Sequence, residues 1–274
     1  MKIAALDLGS NSSLLLIAEI ENSKVVKVYH DEQRVTRLGQ GVHESKSFHP
    51  EALQRAEACF LDYEKIINEH NVDRVQAVST SAARDVKNKS EFLELGKKYS
   101  IPIEIISGPQ EAEMTFKGSI DGAMEDMSVI DVGGGSTEII GYSDGGIKGF
   151  SLDIGSVRLA EIHNAFDAIS ENTLAAIDDY ILSEIRKHEA RLPLIKKAIA
   201  VAGTPTTLSC LLQEINFDVQ KVESYSISLK ELQEQQLKLA KLPLQQRKLL
   251  KGIHPDRADV LPCGVSILKN ICQH

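Results

Sequence analysis

A chain of 274 residues, 42% hydrophobic and 26% charged, has the balance of a water-soluble globular protein and enough length for one large core or two ordinary ones. Its formal net charge of −8 excludes broad binding to double-stranded nucleic acid, which wants a basic face, and any anionic ligand must be held by a local pocket against a repelling field. Neither MKIAALDLGS, cut by Asp7, nor LLLIAEI, which carries Glu19, resembles a signal peptide or a bilayer span.

Cys59, Cys210, Cys263 and Cys272 are scattered, with no C-x-x-C pair, and fit reduced thiols in a cytoplasmic protein. The histidines form no H-x-H or H-E-x-x-H pattern, which argues against zinc.

In chain order, KIAALDL, SLLLIAEI and KVVKVYH read as three consecutive strands with GSN and ENS as turns. His49-Pro50 opens a helix in which Leu53, Ala56, Phe60, Tyr63 and Ile67 recur at three- and four-residue steps, a single buried stripe. RVQAVST (strand), SEFLELGKKY (helix), IPIEIIS (strand) and PQEAEMTFKGSI (helix) follow. MSVIDVGGGS, STEIIGYS and GGIKGFSLDI then restart the three-strand pattern. SVRLAEIHNAF and ENTLAAIDDYILSEIRKHEARL read as helices, the second with Leu174, Ile177, Ile181 and Ile185 on one face. KKAIAVAG is a strand, PTTLSCLLQEI a helix, VESYSIS a strand, and the rest mostly helical. The order βββαβαβα therefore repeats, and DLGSNS at Asp7–Ser12 mirrors DVGGGS at Asp131–Ser136. The expected architecture is α/β, two similar halves facing one another across a cleft. SIDGAMEDM breaks the apolar pattern and divides the chain into an N-terminal domain of residues 1–121 and a C-terminal domain of residues 122–274.

A turn of small residues after a strand lets successive backbone N–H groups converge on phosphate oxygens. Gly9, Ser10, Asn11 and Ser12 form one such turn, and Gly133, Gly134, Gly135, Ser136 and Thr137 a second. In VAGTPTTL, Gly203 and Thr204 end a strand and open a helix, whose N-terminus attracts anions. No G-K-[ST] occurs, so none is a Walker loop. A single glycine turn means little; three at strand ends point to phosphate.

Acids accompany the turns. Asp7 and Asp131 end corresponding strands, and Glu138 follows the second turn. A lone carboxylate in such a place is ordinarily a turn cap or a solvated group. Carboxylates flanking a glycine nest instead fit Mg²⁺, which keeps several waters and bridges phosphate to one or two of them. Glu111, at the start of a helix, by itself complements the helix dipole. Arg37, Arg84, Arg158 and Arg257 are candidate phosphate forks, Arg84 first because it follows a strand end.

Together, DLGSNSSLLLI, RLGQGV, AVSTSAARDVKN, IEIISGPQEAE, VIDVGGGSTEII, SLDIGSVRLAE, VAGTPTTL and DRADVLPCGVSIL resemble the exopolyphosphatase/guanosine pentaphosphate phosphohydrolase family, in the family's order and over nearly the whole chain. The resemblance implies two duplicated ribonuclease-H-like domains, as in actin, Hsp70 and sugar kinases. It implies Mg²⁺-dependent hydrolysis of terminal phosphate from inorganic polyphosphate, or of pppGpp to ppGpp. By similarity Glu111 becomes the base that activates water, and Asp131 and Glu138, with Asp7, the metal or catalytic-water positions. Asn11, Ser12, Arg84, Gly134, Gly135 and Ser136 become phosphate contacts. Ala202 stands where the family often has glycine, Ser10 where threonine is frequent, and the chain stops soon after RADVLPCG, as in the short two-domain class.

Two further readings stay open on the same residues. One is an ATP-dependent phosphotransferase, which needs an adenosine pocket that no motif identifies. The other is a non-catalytic sensor of guanosine tetra- or pentaphosphate, which has no need of Glu111 as a base. Oligomeric state is open, a homodimer being one arrangement.

Overall fold

A computed structural model describes every residue except 85, 121–126, 144–145, 194 and 196. Contacts divide it into two compact units, Met1–Ser107 and Gly108–His274. The boundary expected between residues 121 and 122 lies outside the described residues.

The first unit carries β1 (Lys2–Leu8), β2 (Ser12–Glu21) and β3 (Lys24–Val35), α1 (Val42–Ser45), α2 (Pro50–Glu69), β4 (Arg74–Ser79), α3 (Ser81–Arg84), α4 (Lys89–Lys98) and β5 (Ile103–Ile105). Its sheet runs β3-β2-β1-β4-β5, the three-strand meander antiparallel and β4 and β5 parallel to β1. The His49-Pro50 start is observed: the His49 side chain accepts from Glu51 N, with Pro50 in the first turn. The stripe of α2 covers one sheet face, packing Ala56, Phe60 and Tyr63 with Leu6, Leu15 and Ile17. The Tyr63 hydroxyl donates to the Ser13 carbonyl at 2.8 Å, tying helix to strand. The other face carries Asp7 and Leu14, cross-strand partners that are both exposed.

The second unit opens on α5 (Gly108–Ser119), followed by β6 (Met127–Val132), β7 (Thr137–Ser143), β8 (Gly146–Leu152), α6 (Ser156–Ile162), α7 (Glu171–His188) and β9 (Lys197–Val201). It closes with α8 (Gly203–Gln213), α9 (Val219–Glu223), α10 (Leu229–Lys241), α11 (Leu244–Arg247) and α12 (Leu261–Gln273). Its sheet order is β8-β7-β6-β9, again an antiparallel meander with β9 parallel to β6. The two sheet faces are covered differently. Ile130, Val132, Ile139 and Leu152 pack into a large core with α6, α7, α8, α10 and α12. Val129 and Ile140, on the opposite face, pack with Ala112 and Phe116 of α5.

VESYSIS does not form the expected strand, and the sheet has four strands among the described residues. Its first residues end α9, whose cap is Asp218, and its last, Ser228, opens α10 through a reciprocal cap with Glu231. Tyr225 donates to Glu231 instead of lining a sheet. The repeat is therefore complete in the strands that flank the glycine turns and incomplete beyond β9. No described helix is long and apolar enough to cross a membrane.

Candidate active site

Cross-strand register brings the second unit's acids together. Asp131 on β6 is the direct partner of Glu138 on β7, which pairs with Ser151 on β8. Directly paired residues project to the same face of a sheet, here the face beneath α5. That helix lies close because Gly149 has no side chain; a Cβ there would stand 2.3 Å from the Ala112 Cβ. Glu111 precedes Ala112 in the first turn of α5 and acts electrostatically on Glu138.

Glu138 is 2% exposed. Burial, then the charges of Glu111 and Asp131, push its carboxyl up to about 8, opposed by hydroxyl donors from Ser151 and Ser136. The Ser151 Oγ donates to Glu138 Oε1 at 2.7 Å. A buried acid crowded by two others favours its neutral form unless a cation joins it.

The glycine turn beside these acids is held from behind. Gly133 N donates to the Ser136 carbonyl at 3.0 Å, closing the loop. The first turn of α6 then takes up the loop's carbonyls: Ser156 N donates to Gly133 O, and Val157 N and Arg158 N donate to Gly134 O, each at 3.0 Å. Arg158 Nε donates to Gly135 O at 2.7 Å. The described peptide bonds include no cis bond, and in a trans peptide C=O and N–H point in opposite directions. The N–H groups of Gly134, Gly135 and Ser136 are therefore turned away from α6, in succession, as an anion nest requires. Gly155 makes this approach possible, since a Cβ there would lie 2.3 Å from the Gly134 carbonyl oxygen.

The first unit repeats the construction. Gly9 N donates to Ser12 O at 3.0 Å, while Ser10 O and Asn11 O accept from Gly39 N and Arg37 N at 2.7 and 2.9 Å. The N–H groups of Asn11 and Ser12 thus point to the opposite side. Asn11 Oδ1 is buried with no hydrogen-bond partner among the described residues, an acceptor left for solvent or a ligand donor. Arg84 lies at the end of α3 and commits one guanidinium nitrogen to the Ile106 carbonyl at 2.9 Å.

Parallel pairing of Asp131 with Val201 brings the third turn to the same end of the second sheet. Ala202 there has φ 71° and ψ −167°, a conformation that glycine adopts freely and a Cβ strains. The departure from glycine noted in the sequence thus falls on a position that favours glycine. Arg257 lies against Gly203: a Cβ on Gly203 would be 1.0 Å from its Nη1.

Several hydroxyls turn elsewhere. Thr137 donates to the Ile154 carbonyl at 2.6 Å, Ser10 shares a hydrogen bond with Ser81 at 3.0 Å, and Thr204 Oγ1 packs toward Gly264 of α12. Ser136 directs its hydroxyl to Glu138. These side chains fasten the loops, and the loops' amides are the groups left turned outward. Ser151 and Gly155 lie within SLDIGSVRLAE but were not among the candidate site residues, and the structure places them at the candidate site. Ser151 could have been found by counting the β7–β8 hairpin outward from Ser143 and Gly146, which are partners.

No three Asp, Glu, His or Cys side chains form a preformed metal cluster among the described residues. Mg²⁺ does not require one, because one or two carboxylates, water and phosphate complete its shell. The hard oxygens of Asp131 and Glu138 fit such an ion.

A profile of the Ppx/GppA phosphatase family matches residues 16–274. The chain is similar to exopolyphosphatase 2 of Mycobacterium tuberculosis, 33% identical over 99% of this chain and 90% of the relative. Among solved structures it resembles an exopolyphosphatase-like protein at 29% identity, TM-score 0.92, covering 99% of this chain and 87% of the other. It also resembles the Aquifex aeolicus Ppx/GppA family member, 27% identical, TM-score 0.79, over 100% of this chain and 90% of that one. Strand order and these likenesses give both units the ribonuclease-H-like fold.

Proposed function

The chain belongs to the Ppx/GppA phosphatase family, and we propose that it hydrolyses terminal phosphoanhydride bonds, releasing orthophosphate from inorganic polyphosphate, converting pppGpp to ppGpp, or both. The observation that carries the reading is Glu138, 2% exposed beside a glycine turn and raised to about 8 by burial and by Glu111 and Asp131. Acids with shifted proton affinity concentrate at functional sites, and a pure binding protein has no need of Glu111 beside them as a base for water.

The amides of Gly134, Gly135 and Ser136 hold the terminal phosphoryl oxygens, whose charge spreads in the transition state. Glu111, in the first turn of α5, accepts the proton of the attacking water. Arg257 at the third turn adds positive charge. Mg²⁺, when bound, supplies charge against the phosphate oxygens, and Asp131 and Glu138 are the residues to hold it. Positioning and electrostatics carry the rate, because phosphoryl transfer needs little covalent help.

The test is phosphate release from long-chain polyphosphate and from pppGpp, side by side, with Mg²⁺ and with EDTA. Release that requires Mg²⁺ is expected, and the ratio between the two substrates assigns preference. Glu111→Gln should lose on the order of 10²–10⁴ in kcat while KM is kept. Absence of release from both substrates in Mg²⁺ sinks the reading.

A further inference from the structure

Catalytic carboxylates act from defined positions, and what defines them is often a neighbour that never touches substrate. Glu138 is held by such neighbours. Its Oε1 accepts from the Ser151 hydroxyl at 2.7 Å, and Ser136 supplies a second hydroxyl from the glycine turn. Ser151 is fixed in turn. It sits on β8 opposite Glu138, one strand removed from Asp131. The first residue of α5, Gly108, lies over it: a Cβ on Gly108 would make ordinary van der Waals contact with the Ser151 Cβ, at 3.7 Å. Ser151 therefore meets both Glu138 and the end of the helix that carries Glu111.

We infer that Ser151 is a positioning residue, orienting the Glu138 carboxylate toward a divalent cation and setting its place relative to the start of α5. This rests on the hydrolytic reading above. A hydroxyl donor fixes the rotation of the carboxylate about its last bond, so that a cation meets an oriented oxygen and not a rotating one.

The test compares Ser151→Thr with Ser151→Val, two side chains of nearly the same shape of which only threonine keeps the donor. Ser151→Ala is the third variant. Three quantities are measured: kcat and KM for polyphosphate, the Kd for Mn²⁺ followed by electron paramagnetic resonance without substrate, and the thermal midpoint. Valine and alanine should lower kcat about 10–100-fold and weaken Mn²⁺ binding about tenfold, with KM little changed, and threonine should restore both. A role confined to stability moves the midpoint and leaves kcat and Mn²⁺ affinity alone; that outcome, or equal behaviour of threonine and valine, overturns the assignment while the hydrolytic function stands. A wild-type protein that neither releases phosphate nor binds Mn²⁺ overturns both.

Discussion

Replacing Glu138 by glutamine should stabilise the cation-free protein while abolishing its activity. The carboxyl, ordinarily near 4.5, is raised to about 8, and at about 1.36 kcal/mol per pH unit its ionisation opposes folding by on the order of 5 kcal/mol. The sign follows from proton counting. Between about pH 4.5 and pH 8 the unfolded chain has released this proton and the folded chain has not, so stability falls as pH rises through that window. Below it the effect vanishes; above it the loss is complete. Glutamine cannot ionise, keeps an oxygen for the Ser151 and Ser136 hydroxyls, and offers an NH₂ to neighbouring carboxylates. In EDTA the variant should therefore melt with the wild type near pH 4.5 and roughly 10–20 °C above it at pH 8.5, given about 2–4 °C per kcal/mol for a unit of this size. Mg²⁺ at pH 8.5 should raise the wild-type midpoint and leave the variant's unchanged. Thermal denaturation monitored by circular dichroism, at several pH values with and without Mg²⁺, reads all of this. Parallel melting curves for the two proteins across the pH range would refute the reasoning, because they would mean that Glu138 ionises in the folded protein as it does in water.

Other outcomes rest on single backbone positions. Ala202→Gly relieves the strain at φ 71° and should raise stability by about 1 kcal/mol in a urea titration with phosphate release retained; an unchanged or lower midpoint counts against the strain. Gly155→Ala puts a methyl 2.3 Å from the Gly134 carbonyl oxygen, and should lower kcat/KM at least about 100-fold by pushing the amide nest out of place. Gly149→Ala drives α5 off the sheet at Ala112 and should cost about 100-fold in kcat through Glu111. Its Mn²⁺ affinity should stay near the wild-type value, since Asp131 and Glu138 lie on the strands; a large loss of binding would show that α5 also shapes the cation site.

Much of this site could be read in the sequence because its signals are local. A strand, a glycine turn and a second strand fix the loop, and the turn's length fixes Asp131 opposite Glu138. The amphipathic stripes of α2 and α7 were legible for the same reason: period alone decides which face is buried. What the sequence could not reveal is which way a hydroxyl turns. Ser136, Thr137 and Thr204 have the composition of phosphate ligands, but Glu138, the Ile154 carbonyl and α12 engage them. VESYSIS has the alternation of a strand, yet caps at Asp218 and Ser228 give its two ends to helices. Ala202 was visible as an unusual residue, and only the backbone angle explained why.

The two glycine turns close with the same Gly-to-Ser hydrogen bond at the same 3.0 Å length, so the loop is not what distinguishes the two halves. The difference lies two residues beyond each serine. Asp7 faces Leu14 across its hairpin, whereas Asp131 faces Glu138. Leu14 is 38% exposed and Glu138 is 2% exposed, so the two positions differ above all in burial. Burial is what gives Glu138 its raised proton affinity, and the burial comes with α5, which lies on the same face and brings Glu111 with it. Gly149 admits that helix. On this scaffold, then, a strand carboxylate gains its raised proton affinity from the helix laid over it, and under the proposed function the glycine that lets the helix approach matters as much as the acid does.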